Sequence, residues 1–472
     1  MRFFFVLSYA CMLCTTLTAQ DFSGYRTSNR MGVNGVFFNP ANIADSHYRW
    51  DANLFSFSTQ IGNDQASFSL KNLKHSFNGD SLGNQLFGSQ AGPANGFVSM
   101  DFHGPSVMFQ AGGKMTVALT TRARIMANAA DVDGKLISKI TNDFSNDPQL
   151  PYSISTDRNM RVTVNGWSEF GASVARVLMD KGPHVLKAGV TFKYLAGAAN
   201  AYMNVGGFRG TLNADYVAQD AFLSSTSGRI AAGFGGVRIS DFDAKQLTKM
   251  ESRGFGGDIG LVYEFRPGFA GSREENNDQD ANGYKLRVAV SLLDLGKIRY
   301  KKDLQRSGAY TIDITGNERL YLNSLDGLGV DDYKAFFNSR PQLFTPVTGN
   351  DQQAYSVALP SSLNMEIDYH VSMGWYVHLG SLVSLMNAGS KLFNSNYYNG
   401  ITLTPRYEGR RFGAYVPLNY NQLTKFNAGL SLRFGPVFIG SGSVLRALAG
   451  HSRQADLHAG VRFGMMSKKN KG

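Results

Sequence analysis

Glu366, Asp368 and His370 stand two residues apart, as do Asp456 and His458, so on an extended chain each set shares one face. Carboxylates and imidazoles so placed can pass protons or hold a metal. The same residue types at the same spacing also build a salt-bridged, water-facing wall. The rest of the chain favours the wall. No Gly-x-Ser-x-Gly elbow offers a nucleophile, and neither His-Glu-x-x-His nor His-x-His occurs. Asp278 to Gly283 begins like a calcium loop, but its twelfth position is Ala289 where a bidentate Glu is required. Gly254-Phe255-Gly256-Gly257 lacks the last glycine of a phosphate loop, where Ile259 stands. Both cysteines, Cys11 and Cys14, fall in the first twenty residues, so thiol chemistry is not expected further on. No catalytic, metal or cofactor site is expected, and the chain is read as a non-enzyme.

The elements that must position these charges are strands. From Phe426 to Phe434 and from Ala455 to Phe463, apolar residues alternate with polar residues or glycine. The same rhythm runs through Phe255–Arg266, Lys285–Leu292 and Leu363–Val371. It collects Asp258, Glu264, Arg266, Lys285, Arg287, Glu366, Asp368, His370, Arg433, Asp456, His458 and Arg462 on one set of faces, opposite an apolar set. These runs exceed the usual five or six residues, and about 9–11 tilted residues cross a bilayer. The expected fold is all-β: a closed antiparallel transmembrane barrel whose polar faces line the lumen.

The chain has 472 residues, 47 Lys+Arg against 36 Asp+Glu, and 43% hydrophobic residues, which excludes a disordered chain. The basic balance comes without a nucleic-acid recognition motif, so nucleic acid is not an expected partner. Met1-Arg2, the apolar Phe3–Leu17 and the small residues to Ala19 read as a secretory signal peptide. Tight connections at Gly112-Gly113, Asp180–Pro183, Met373-Gly374, Gly409-Arg410 and Gly435-Pro436 alternate with long polar stretches. Those stretches are Asn72–Asn95, Arg124–Met160, Ala198–Arg253 and Lys297–Ala358, with short helices expected in Asp133–Phe144 and Asp326–Phe337. Short turns on the periplasmic side and long loops outside give about fourteen strands, provided Trp50–Leu70 is one strand bent at Gly62-Asn63. The expected division is 1–19 signal peptide, 20–48 hatch segment, 49–464 barrel with its last strand ending at Phe463, and 465–472 basic periplasmic tail.

Between leader and first strand stands an apolar, Gly-rich segment, Met31 to Ala44. Pro40 lacks an N–H, and Asn39 before it is biased away from helix, so a tight turn is expected there. This run, with Gly35, Val36, Phe37, Phe38, Asn39, Pro40 and Ala41 just after a signal peptide, resembles the N-terminal hatch of FadL-like outer-membrane transport proteins. The resemblance extends to Phe255–Pro267, Leu292–Tyr300, Leu359–His370 and Thr404–Gly442. It implies a fourteen-stranded barrel in the outer membrane of a Gram-negative bacterium, with the hatch folded into the lumen as a gate. The implied function is uptake of hydrophobic small molecules. The alternative, from PorV-type relatives, is a non-transporting barrel that scaffolds type IX secretion or surface assembly. The candidate partners are outer-membrane lipid and lipopolysaccharide, a hydrophobic ligand, and secretion or surface proteins.

Overall fold

In this computed structural model, residues 21–68, 92–112, 114–141, 150–237, 252–267, 283–326, 328, 332–348, 353–386 and 392–466 are described. The leader, the Asp278–Gly283 turn apart from Gly283, and the last six residues lie outside them.

Period-two sequence becomes strand almost throughout. The chain forms β1 (Tyr48–Asn63), β2 (Pro93–His103), β3 (Ser106–Gly112), β4 (Met115–Asp133), β5 (Tyr152–Ser155), β6 (Met160–Lys181) and β7 (His184–Asp215). It continues with β8 (Asp220–Gly236), β9 (Ser252–Phe265), β10 (Leu286–Lys301), β11 (Gly308–Ile314), β12 (Leu320–Tyr321), β13 (Phe344–Pro346), β14 (Ala354–Ala358), β15 (Ser362–Ser372) and β16 (Trp375–Ser384). The last are β17 (Gly400–Glu408), β18 (Phe412–Tyr415), β19 (Leu418–Asn421), β20 (Lys425–Ala428), β21 (Leu430–Phe434), β22 (Val437–Ser441) and β23 (Gln454–Met466). Short helices are α1 (Gly134–Thr141), α2 (Tyr333–Asn338) and α3 (Val444–Leu448).

Pairing proceeds antiparallel from β1 to β2 and β3, which form one strand broken at Gly104-Pro105, then to β4, β6, β7, β9 and β10. It passes to β14 with β15, then β16, β17, β18 with β19, β20 with β21, β22 and β23. β23 closes on β1 from Tyr48↔Met466 to Gly62↔Gln454. Counting each broken strand once, the ring is a closed antiparallel barrel of fourteen strands. Closure satisfies the backbone of both edge strands without help from solvent.

Inside and outside follow the alternation. On β23, His458 and Arg462 are buried while Leu457 and Phe463 are exposed; on β1, Asp51, Asn53 and Ser56 are buried while Trp50, Leu54 and Phe55 are exposed. Leu119, Phe192, Leu261, Leu403 and Ile439 continue the apolar outer belt. No helix among the described residues is long and apolar enough to cross a membrane. The connections β3–β4, β6–β7, β15–β16, β17–β18 and β21–β22 are tight, and all lie at the end where β1 starts and β23 stops.

Several expected boundaries move. β1 ends at Asn63, whose Oδ1 accepts from the N–H groups of Gln65 and Ala66, so Trp50–Leu70 is no single bent strand. The barrel begins at Tyr48 and its last strand continues past Phe463 to Met466, where Tyr48 still pairs. One short turn, Asn421 to Lys425, stands at the end otherwise occupied by long connections. Ala198–Arg253 is no loop for most of its length. β7 and β8 extend through it as a hairpin, joined by β5, β11, β12 and β13 into a sheet beyond the ring. Phe208, Leu212, Leu223, Tyr310, Ile312, Phe336, Phe337 and Phe344 form its core, α2 included. Those apolar residues are scattered over five segments, so none stands out as a strand until the sheet assembles.

Candidate functional site: the N-terminal segment and its charged surroundings

The segment 21–47 is a chain of turns: 3-10 helices at Tyr25–Thr27, Gly32–Phe37 and Pro40–Ile43. Asn39 caps the last, extended at φ −163°, with Oδ1 accepting from the Ala41 N–H at 2.9 Å. Pro40 at the first helical position has no N–H to leave unpaired. The Asn39 Nδ2 donates to the carbonyls of Leu261 (3.3 Å) and Val290 (3.2 Å), tying the turn to β9 and β10. The wall is bare opposite the turn. A Cβ on Gly189 would run into the Pro40–Ala41 peptide, and one on Gly260 into Asn39 and Pro40. Gly189 is required by close approach of the Pro40–Ala41 backbone, and Gly260 by the Asn39 amide and the Pro40 ring.

The segment touches strands on both sides of the ring. The Val33 N–H donates to Asp51 (2.8 Å), Asn34 to Asn53 and Ser56, and the Ser291 hydroxyl to the Phe38 carbonyl (2.9 Å). Arg26 pairs at 3.2 Å with Glu366 on β15, next to β10; Tyr284 just before β10 donates to Asn29 (2.7 Å), and Ser431 on β21 donates to the Ser23 carbonyl (2.6 Å). Val33, Val36, Ile43 and Ala44 pack on an apolar patch of wall made by Met108, Ala118, Ala175, Val177 and Val185. Phe38 packs with Phe22, Tyr25, Met31 and Phe438. The His103 ring stands 3.8 Å from that of Phe37 and 4.8 Å from that of Phe22. Gly35 and Ala41 are buried in the same assembly.

The charged faces are occupied by one another. Glu264 accepts from Lys187 (2.8 Å) and Arg266 and has Arg287 at 3.8 Å; Arg287 and Arg266 also reach Asn42 and Asp45 of the segment. Asp368 takes both Arg406 nitrogens (2.7 and 2.6 Å), while His370 stacks on Tyr376 at 4.5 Å. Glu366, Asp368 and His370 therefore each serve a different partner and make no joint acid–base group. Asp456 caps Gly442 and Ser443, and His458 contacts Ser431 at 3.2 Å. Arg433 donates to the Gly409 carbonyl (2.8 Å), and Arg462 links Asp51, Tyr48 and the Arg30 carbonyl. Lys285 departs from the expected lumen face. It precedes β10, and its ammonium sits over the outward Tyr369 ring and donates to the Val371 carbonyl. A long side chain at a strand end turns to the rim, where water reaches it.

The largest charge cluster contains Asp258, expected on the lumen face, together with charges of β2, β4, β6 and β10 that the alternation did not single out. Lys193 meets Asp294 (2.7 Å), Asp258 (2.9 Å) and Glu169 (3.3 Å); Arg124 meets Asp294 (2.7 Å) and Glu169 (3.4 Å); Arg122 pairs with Asp101. Thr120, Arg122, Arg124, Met126 and Asn128 alternate on one face, a signal that was present. Asp294 was hidden, because a bulge after Leu292 breaks the period that would have exposed it. Outside the strands, burial and then the Asp101 charge push the Asp21 carboxyl up to about 6. Burial, with Arg30 and Lys187 nearby, holds His47 down at about 4. A cavity of about 20 Å³, room for a single water, lies between Phe97, Met126, Asn128 and Tyr397. No group of three or more His, Cys, Asp or Glu among the described residues could hold a metal ion.

Fold and site define a fourteen-stranded barrel with a buried N-terminal segment hydrogen-bonded to several of its strands. The chain belongs to the family of unknown function DUF5723, whose model matches residues 40–442. No curated protein matches it. Among solved structures it is similar to the toluene transporter TbuX of Ralstonia pickettii, at 13% identity over 93% of this chain and 95% of that one, TM-score 0.39. A FadL homologue of Pseudomonas aeruginosa is similar at 10% identity over 95% and 98%, TM-score 0.41. The toluene transporter TodX of Pseudomonas putida is similar at 9% identity over 95% and 97%, TM-score 0.33. FadL-family transporters are thus among the structural neighbours.

Proposed function

We propose that this protein is an outer-membrane barrel whose N-terminal segment is a plug in the lumen, and that moving the plug admits hydrophobic small molecules. The observation that carries the plug is the fit between the Asn39-Pro40-Ala41 turn and the bare wall at Gly189 and Gly260. The hydrophobic cargo is supported by the apolar wall patch beneath Val33, Val36 and Ile43, which displacement of the plug would uncover. The outer belt would face lipid, with lipopolysaccharide around the external half. Tight turns and both barrel ends would face the periplasm, and residues 1–19 would be the leader that directs export.

A second reading, a scaffold for secretion or surface assembly, is favoured by one observation: the ion pairs around Lys193 and Arg124 fill the middle with charge. An apolar solute there would meet desolvated ions. The test uses the absence of other cysteines beyond Cys14. Cysteines placed at Ala41 and Ala289, which pack together, are joined by a short reducible cross-linker. Uptake of a labelled long-chain fatty acid into cells should stop in the linked protein and return on reduction. Equal uptake by linked and unlinked protein would end the gate reading, and no uptake by the unmodified protein would leave the scaffold.

A further inference from the structure

Residues 392–399 of the connection from β16 to β17 do not stay outside. A turn at Leu392-Phe393 is followed by chain without regular secondary structure, in which Asn394, Ser395 and Asn396 are buried, and the segment reaches wall strands on the far side. By the pairing order, β4 stands six places around the ring from β16, nearly opposite. There Asn128 donates to the Asn396 carbonyl (3.1 Å) and accepts from the Asn396 N–H (3.1 Å). Asn165 on β6 and Asn200 on β7 both donate to the Phe393 carbonyl at 3.3 Å, and the Asn394 side chain accepts from the Ala358 N–H (3.0 Å). The Tyr397 hydroxyl bonds Arg124, a member of the central ion cluster.

A side-chain amide that gives one bond and takes one from the same residue makes the pair that a neighbouring strand would make. The wall therefore recognises main chain, and it does so three times with asparagine. We propose that the inner wall at the long-connection end is a docking site for peptide main chain, filled here by Leu392–Asn399 as a strap. The strap is a second closure, separate from the plug and on the other side of the ion cluster. The inference rests on the plug reading only for the closure at the opposite end. Solutes then meet two gates in series, and removing either alone leaves the barrel shut.

The experiment compares four full-length barrels in planar bilayers: unmodified, lacking Met31–Ala44, with Leu392–Asn399 replaced by a Gly/Ser linker, and with both changes. Retention of the heat-dependent gel shift identifies those that have folded. Steady conductance is expected only from the double variant. A synthetic peptide of residues Leu392–Asn399, added to it, should return conductance to the level of the plug-deleted protein. Asn128→Leu with Asn165→Leu, added to the plug-deleted barrel, should open it without any deletion in the strap. If plug deletion alone conducts as well as the double variant, or the peptide does not block, the docking site is overturned. If strap replacement alone conducts as well as the double variant, the plug reading falls and the strap stands. A double variant that stays shut overturns both.

Discussion

At the scale of single residues, the protein is governed by how closely the N-terminal segment approaches the wall. Gly260 faces Asn39 and Pro40 with no room for a methyl group. Gly260→Ala should leave the barrel folded but unseat the turn, costing about 1–3 kcal/mol of seating as overpacked contacts do. A cysteine placed at Thr27, buried in the parent, should then react with maleimide faster, while the gel shift of the barrel stays as before. Asp21 adds a pH dependence. Its carboxyl binds a proton more tightly when buried, about 6 against 3.8 unfolded, so seating is strongest below about pH 4. That advantage is lost as pH rises through 6 and stays lost above. Labelling at Thr27→Cys, taken relative to an Asp21→Asn background at each pH, should rise between pH 4 and 7. A flat ratio would show that Asp21 is solvated. Gln60, which donates to Asp21 at 2.7 Å, supplies one hydrogen bond but no charge to offset its ionisation.

At the scale of elements, each strand has two chemistries and the difference between adjacent positions is large. Leu430 is turned outward, while Ser431 is buried and holds the Ser23 carbonyl. Leu430→Arg should impair assembly by about 2–4 kcal/mol if the position lies near the bilayer midplane. Ser431→Ala should assemble normally, since it removes two hydrogen bonds, to the Ser23 carbonyl and with His458, each worth about 0.5–1.5 kcal/mol, and should loosen the N-terminal segment. Folded yield in detergent-assisted refolding separates the two, and equal losses would mean that the strand face is misassigned. The alternation that makes this contrast was readable in β21 and β23. It was not readable in β7, where Ala196 to Ala199 run as small residues and carry no period, yet the strand continues because β6 and β8 pair with it. Strand length there is decided by neighbours.

At the scale of the whole molecule, stability comes from a closed ladder and not from an apolar centre. Fourteen strands pair around the ring, and unfolding must break the seam between β1 and β23 along its full length. The protein should therefore stay folded in SDS at room temperature and migrate faster unboiled than boiled. A single band at both temperatures would argue against closure. The interior ion pairs contribute specificity of a different kind. Lys193 holds carboxylates from β6, β9 and β10 together, and removing one partner leaves a buried charge unpaired.

Period two dictated β strands, their inward charges and their outward apolar belt, because facing on a strand depends only on position parity. The composition of Met31–Ala44 likewise marked a segment that gains by leaving water, and Asn39-Pro40 marked its turn. Tertiary structure alone decided which charges meet. Asp101 with Arg122, or Lys193 with Asp294, are brought together by register and by the bulge after Leu292, and neither is written in local spacing. It also decided the rim position of Lys285 and the assembly of β5, β8, β11, β12 and β13 into an outer sheet. The fold of Leu392–Asn399 into the mouth belongs here too. Its bonds run to Asn128, Asn165 and Asn200, more than 190 residues away along the chain, and exist only once the ring has closed.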